Sequence, residues 1–535
     1  MTVPGGIAAL SGVVVDAPSG TARARLRPDG DRGRWPAWTG LLPGFATAVV
    51  IAIGITTPSY WRDEAATIAA VHRPAASLFH MLGHVDAVHG AYYLLVWPLA
   101  RAFGPGELVM RLPSLLAMAV AAGFVTATGR RLVSPGVGLV AGLVFAAAPS
   151  VAEFGQMARS YALVTMAAAI ASYALVRLLE VPGRRSRWVW YAASLAVLGA
   201  LNIAALLLIP AHGITVCLRR RELGRGWLRA ARGWLIAASA GFAINVPLIL
   251  LAFGQRSQVR WLPEPSPSDL GNALDVLGPP LMTAAIVVTG LAAVAVTAAR
   301  ARQAGGAGGS RQASTRRPGF AAAAALCVPW LAIPPLGLLL MSALITPLYN
   351  QRYVLFCMPA AALMTAVALA ALARMPGPRV LGRVLQGVAL AVIVALGLGM
   401  QAQYRQPAGH LDNIRAADRF ISARARPGDV MMYTWPVFMP ISAAYPYGLA
   451  RLPDIRVGQA AIPSGTLAGT TATRPVIRGR ISRAKRLWIV QVSVRTPEDL
   501  LLAGLHMRLV STWQTSDIWL QLYVHGAAAG GGTTG

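Results

Sequence analysis

The sequence predicts a polytopic α-helical membrane protein of about eleven spans, closed by a small α/β domain on the outer face. Three observations carry that expectation. Of 535 residues, 56% are hydrophobic and only 13% charged, against about 25% charged in an ordinary soluble domain. The apolar residues gather in long runs, mostly of about 17 to 25 residues, the length that crosses roughly 30 Å of hydrocarbon. From residue 403 the pattern changes to alternating helix-like and strand-like stretches. A soluble globular protein, a disordered chain and a coiled coil are excluded by the same composition. Cys217, Cys327 and Cys357 all lie in apolar stretches, which argues against a disulfide framework.

The runs fall near 41–57, 108–128, 136–150, 160–177, 188–201, 203–218, 234–253, 279–299, 320–344, 353–373 and 380–400. A few are slightly short. The stretch 188–218 is too long for one helix and is divided at Asn202 into a tight hairpin. The arginines test the map. Clusters sit in the N-terminal segment, at Arg130-Arg131, at Arg177 to Arg187, at Arg219 to Arg232, in 300–317, and at Arg374, Arg379 and Arg383. With eleven spans and the N-terminus inside, each cluster is cytoplasmic, as the positive-inside rule requires. The net charge of +28 is then topological, and a nucleic-acid partner is not expected. The expected location is the plasma membrane, multi-pass, with the C-terminal domain outside.

Residues 1–40 read as a basic cytoplasmic segment, expected to be disordered; they are too long and polar before the first run to be a signal peptide. Residues 41–402 form the membrane module, with a long first outer loop at 58–107, and 299–317 reads as a flexible linker. In 403–525, a helix over 410–425 and strands at Asp429–Thr434, Leu487–Val494 and Ile518–Val524 make the outer α/β domain; 526–535 is expected to be disordered.

Thirteen acidic residues precede position 401, and eight of them fall on the expected outer face: Asp63, Glu64, Asp86, Glu107, Glu153, Glu264, Asp269 and Asp275. Asp63-Glu64 directly follows the first span, after Tyr60-Trp61. Adjacent carboxylates disfavour each other's ionisation unless a cation or donor separates them, which tunes one toward general-base duty. Neighbours on a helix point about 100° apart, so the two acids have different jobs. The plainer reading is a helix N-terminus with two acids that complement its dipole.

His72, His80, His84 and His89 share this loop. His80 and His84, at i and i+4, lie on one helix face, and with Asp86 or His89 would make a metal site. No HExxH or cysteine-rich spacing supports one, and interfacial hydrogen bonding or substrate contact are the other readings. Tyr92, Tyr93 and Trp97 among apolar residues suggest a helix lying in the interface. Arg159, near Glu153, Gln156 and Tyr161, and Arg352, beside Gln351 and Tyr353, stand at outer edges where arginine runs against the charge bias. Each suits a bidentate phosphate contact or snorkelling to headgroups. Tyr60, Trp61 and Tyr161 serve as interfacial anchors or as rings for substrate stacking.

The stretches WRDEAATIAAVHR, HVDAVHGAYYLLVWPLARAFGPGELVMRLPSLLA, ARSYALV and NQRYVLFCMPA together resemble the GT-C glycosyltransferases. They are most similar to family 39-type enzymes of actinobacterial type, relatives of the protein O-mannosyltransferases and the aminoarabinose lipid A transferases. The likeness covers roughly 45–250, with an echo at 350–360; the C-terminal domain departs from that of the protein mannosyltransferases. The resemblance implies inverting transfer of a sugar, mannose or a pentose, from a polyprenyl-phosphate carrier to a glycolipid, polysaccharide or protein acceptor on the outer face. It casts Asp63 as general base and Glu64 as its partner. It puts Arg159 and Arg352 on the leaving phosphate, and Asp86 and His89 along the substrate cavity; Tyr161 and Gln351 are the further substrate-binding candidates. No cofactor is required on this reading, although Asp63, Asp86 and the histidines leave a divalent cation open. Two other functions compete. A glycolipid transporter or flippase needs ionisable groups at mid-bilayer, where His212 is the main candidate beside a polar break at Asn245. A membrane scaffold that binds cell-wall polymer would not need the acidic loop.

Overall fold

A computed structural model describes residues 40–259, 283, 319–373, 379–492, 502 and 504–525. The basic N-terminal segment, most of the expected span at 279–299, the linker, Arg374, the tail, and Glu264, Asp269 and Asp275 lie outside them.

At all ten remaining positions where an apolar run was read, the chain is helical. α1 (Leu42–Ala52) leads to three helices of the first loop: α2 (Arg62–Val71), α3 (Ala75–His84) and α4 (Gly90–Phe103). α5 (Glu107–Leu132) runs away from the loop end. α6 (Pro135–Ala147) returns and bends by 61° into α7 (Pro149–Gly155). α8 (Tyr161–Glu180), α9 (Arg185–Leu201), α10 (Leu208–Leu218), the short α11 (Arg220–Leu223) and α12 (Trp227–Gly254) follow. α13 (Phe320–Leu344), α14 (Met358–Leu372) and α15 (Arg379–Tyr404) complete the module. Among the described residues, six helical stretches are long and apolar enough to cross a membrane, and the bent α6–α7 pair makes a seventh if it is one span. The division at Asn202 is present: α9 stops at Leu201, and the Asn202 side chain accepts from the Ala204 N–H at 2.9 Å to start the next turn.

The burial pattern is that of a bundle in lipid. α14 is enclosed along its length, whereas α12 and α15 turn Leu235, Ile236, Phe242, Val384, Val388 and Val392 outward. α5 and α6 touch through Gly138, where any Cβ would collide with the backbone of Thr126 and Arg130. Such close backbone approach takes the place of a hydrophobic driving force between helices in a bilayer. At the far end Arg131 pairs with Glu180 at 2.9 Å.

α1 is shorter than the run 41–57. Gly54 takes a left-handed φ of 72° and ends it. The carbonyls freed there are claimed by side chains: Gln156 Nε2 donates to Ile51 (2.7 Å) and Ile53 (2.9 Å), and Arg405 donates to Val50 (2.8 Å) and Ile53 (3.0 Å). The unwound stretch carries the chain from the end of α1 to the start of α2.

The C-terminal domain is a three-layer α/β unit. Its sheet, ordered β1-β2-β4-β3, comprises β1 (Val430–Tyr433), β2 (Arg486–Val492), β3 (Met507–Thr515) and β4 (Ile518–His525). β1 and β2 are parallel, with Val430 opposite Leu487, and the other pairs are antiparallel. β2 buries both faces by alternation. Trp488 and Val490 join the cluster that contains Ile414, Ala417 and Ile421 of α16 (Ile414–Arg424). Leu487 and Ile489 meet Ile477 and Ile481 of α17 (Arg474–Arg483) on the other side. α17 and β3 are elements the sequence pattern did not announce, and residues 493–494 of the expected strand Leu487–Val494 lie outside the described ones.

Candidate active site

The site gathers at the N-terminus of α2. Arg62 begins this helix, and its backbone N–H, Nε and Nη2 all reach the fully buried Asp412 carboxylate, at 2.9, 2.9 and 2.7 Å. A C-terminal residue therefore fixes where α2 starts.

The adjacent acids part company at once. Glu64 is fully buried. It takes a two-pronged contact from Arg111 (Nε 3.0 Å, Nη2 2.9 Å), the Ala158 N–H at 2.7 Å and the Trp61 N–H at 3.4 Å. The last contact is the backward half of a capping box. Arg111 spends its other N–H groups on the carbonyls of Ile55 (2.7 Å), Pro58 (2.9 Å) and Ser59 (3.2 Å). This pair ties the end of the first span, α2, α5 and the 156–159 turn to one another, and leaves Glu64 no face for a sugar. The geometry gives Glu64 a place that positions the start of α2.

Asp63 keeps a quarter of its side chain exposed and accepts from Arg352 Nη1 at 2.9 Å. The Arg352 guanidinium lies 5.2 Å above the Trp61 ring, a cation–π contact, and Asn350 caps its backbone N–H at 3.3 Å. Arg159, only 5% exposed, stands on the other side of Asp63. Its Nη1 lies 3.3 Å from the Asp63 carbonyl and 3.4 Å from the Tyr93 hydroxyl, and its Nη2 donates to His89 Nε2 at 2.7 Å. The His89 ring must then be neutral, with its proton on Nδ1. Burial, reinforced by the neighbouring Arg159 charge, agrees by pushing its pKa down to about 4. Tyr93 donates to Asp86 at 2.6 Å, and Asp86 holds a left-handed φ of 63° at the turn. That turn is fastened by Gln255, just past the end of α12, and by Gln258 in the turn after it, whose side-chain oxygens accept from the Ala87 and Asp86 N–H groups at 3.0 and 3.1 Å. The buried Tyr161 packs edge-on against Phe154 (5.3 Å) and near Tyr353 (6.4 Å).

The Nε of Arg159 and the Nε of Arg352 are buried without a protein acceptor. A buried donor with no acceptor is costly, so two such N–H groups beside one accessible carboxylate favour an oxyanion ligand.

Asp63, Arg352, Arg159, His89, Asp86 and Tyr161 are therefore brought together. Gln351 is exposed at the start of its helical turn, next to Arg352. His80 and His84 stand apart from the cluster, with rings 4.7 Å apart and His84 Nδ1 donating to the His80 carbonyl at 2.8 Å. Among the described residues no group of three or more potential metal ligands forms. His212 is a core residue: it bonds Ser172 at 3.1 Å and Tyr191 at 2.9 Å from neighbouring helices. Sequence reading missed Arg62, Arg111 and Asp412, and read Tyr93 only as an interfacial ring. Arg111 carried a signal, since an arginine one turn inside an apolar run is costly and calls for a partner.

Residues 91–250 match the family model for dolichyl-phosphate-mannose-protein mannosyltransferases. No curated protein matches the sequence. Among solved structures, ArnT from Cupriavidus metallidurans bound to undecaprenyl phosphate superposes with a TM-score of 0.57 at 14% identity, covering 91% of this chain and 98% of that one. Its apo form gives the same score and identity, over 90% and 97%. The fold is that of the GT-C glycosyltransferases. The archaeal oligosaccharyltransferase AglB from Archaeoglobus fulgidus, solved with an inhibitory peptide and a dolichol-phosphate, aligns at 11% identity and a TM-score of 0.49, over 91% of this chain and 74% of that one. With this fold and its apolar helices, the chain is a membrane protein.

Proposed function

We infer that the protein is a membrane glycosyltransferase that moves a sugar, mannose or a pentose, from a polyprenyl-phosphate donor to a cell-envelope acceptor, with inversion, on the outer face of the plasma membrane. The observation that carries this reading is the pairing of Asp63 with Arg352 at 2.9 Å, next to the buried Arg159 and the two unsatisfied Nε donors. Transfer needs a base for the attacking hydroxyl and stabilisation of charge on the departing phosphate. Arg352 caps the base through Nη1 at 2.9 Å. A donor phosphate competes for that guanidinium through charge-assisted hydrogen bonds, draws it away and leaves Asp63 open to accept the acceptor's proton. Arg159, its ring partner His89 neutral, supplies the second cation. The new glycosidic bond forms as the anomeric carbon–phosphate oxygen bond breaks, and the lipid phosphate leaves as an anion between the two arginines. The first loop's interfacial helices bring this chemistry to the depth where a lipid-linked phosphate lies. The transfer requires no metal, and Asp63, Asp86 and the loop histidines are the residues that would hold a divalent cation.

The test is sugar transfer from a panel of radiolabelled polyprenyl-phosphate sugars in membranes that carry wild-type protein or Asp63→Asn. Consumption of one donor by the wild type alone supports the reading and identifies the sugar. No consumption, or equal consumption by both, refutes it, and transport of the same lipids is then the assay to run.

A further inference from the structure

About 13 Å along α2 from Asp63, at nine residues of 1.5 Å rise, the helix opens onto a cavity of about 220 Å³. Ala69, His72 and Arg73 form one wall. The other belongs to the C-terminal domain: Ser442 from the helical turn 436–443, and Ile462 and Leu467 from the loop that follows Gly458. The base and this cavity thus lie at opposite ends of one ten-residue helix.

The lining defines a chemistry. No carboxylate contributes to it, which disfavours a cationic ligand. Arg73 is 2% exposed, but its two Nη groups are spent on backbone carbonyls: Ala461 at 3.1 Å, Leu467 at 3.3 Å, and Thr466. The fork needed to clasp a phosphate is therefore taken. Its Nε is left buried with no partner. His72 has its pKa lowered by burial and by Arg101, so its ring offers one donor and one acceptor near neutral pH. The Ser442 hydroxyl donates to the Met439 carbonyl at 2.9 Å and offers its oxygen as an acceptor, and Ile462 and Leu467 add apolar surface. An imidazole and a hydroxyl acceptor set among apolar walls suit a neutral polyol with a C–H face. A lipid chain would leave the imidazole unpaired, at a cost.

We propose that this cavity between α2 and the C-terminal domain is a remote acceptor subsite that seats a sugar residue of the acceptor, about 13 Å from the hydroxyl that attacks. This rests on the glycosyltransferase reading above and names the acceptor class: an oligosaccharide-bearing molecule that extends at least two sugars beyond the reacting one. The Arg73 contacts to 461–467 hold the two walls together, and the Trp97 indole, which donates to the Arg73 carbonyl at 2.8 Å, fastens α4 to the α2 wall.

The experiment uses the full chain in detergent with α-mannosides and arabinofuranosides of one to four residues. Two substitutions fill the cavity from opposite walls, Ala69→Leu from α2 and Ala468→Leu from the C-terminal domain; their thermal unfolding is compared with wild type to exclude misfolding. Wild type is expected to prefer four residues to one in kcat/KM, and both substitutions to reduce that preference about tenfold. Equilibrium binding of the four-residue probes, without donor, should weaken by a similar factor. Equal kcat/KM for long and short acceptors, an unchanged preference in the variants, or failure of every four-residue probe to bind wild type overturns the proposal. If wild type consumes no donor, the transferase reading fails, and binding alone decides the cavity: weakening in both variants supports a sugar site, and unchanged binding removes it.

Discussion

Replacing Glu64 with Gln tests the division of labour between the two adjacent acids. Glu64 and Arg111 are both fully buried in their ion pair. Removing one charge of such a pair costs about 3–5 kcal/mol, because the other is left uncompensated. Glutamine keeps the volume and one acceptor oxygen for the Ala158 N–H, but turns an NH₂ toward a guanidinium that only donates. A loss of that size lowers the unfolding temperature by on the order of 5 °C or more. Asp63→Asn is the contrast: Asp63 and Arg352 keep 25% and 15% of their side chains exposed, so water reaches the guanidinium left behind, and the loss of stability should be smaller than for Glu64→Gln while transfer stops. The assay is a pair of measurements on each variant, thermal unfolding of the detergent-solubilised chain at one scan rate and transfer from the donor identified above. Adding Arg111→Met to Glu64→Gln should return part of the lost stability, since an apolar replacement of both partners removes the stranded charge. If Glu64→Gln unfolds as wild type yet loses turnover as fully as Asp63→Asn, Glu64 acts on the substrate and the positioning argument is wrong.

Arg352→Lys keeps the charge but loses both the fork and the planar contact with Trp61 at 5.2 Å. Loss of a charge-assisted hydrogen bond, about 1.5–3 kcal/mol, should raise the donor KM by about ten- to a hundredfold; an unchanged donor KM would separate Arg352 from the phosphate. His89 sets a pH dependence: its pKa falls from 6.5 to about 4 on folding, so the unfolded chain takes up this proton first as pH drops. The His89 contribution is complete above about pH 6.5 and is lost through the window down to about pH 4, at up to about 1.4 kcal/mol per pH unit. His89→Gln, whose side-chain oxygen still accepts from Arg159, should flatten the stability profile across that window, and identical profiles would contradict a buried neutral His89.

Much of the membrane module was legible because a helix in lipid advertises itself by length. The run 320–344 coincides with α13, and Asn202 marks the break between α9 and the next turn. The cluster of Asp63, His89, Arg159 and Arg352 was legible in part, because charges at a membrane edge are few and each one needs a reason. What sequence could not supply were partners. Arg111 reads as the rim of an apolar run until Glu64, 47 positions earlier, is found against it. Asp412 carries no local pattern at all. In the C-terminal domain, β1, β2 and β4 showed as hydrophobic strands, whereas β3 is exposed along most of its length and so lacks the alternation that reveals a half-buried strand. α17 is short and arginine-rich, with only Ile477 and Ile481 turned inward.

The Arg62–Asp412 contact joins residues 350 positions apart. A growing chain delivers the helix with the base among its first hundred residues, and the carboxylate that fixes the start of that helix only after the last membrane helix. Glu107 likewise waits for Arg415 at 2.6 Å and Tyr445 at 2.7 Å. A ribosome that stalls after residue 402 would release a polypeptide that keeps the tie between Glu64 and Arg111 yet lacks the Asp412 carboxylate that fixes the start of α2. The last restraint on that helix is thereby deferred until the chain beyond the membrane helices has been made.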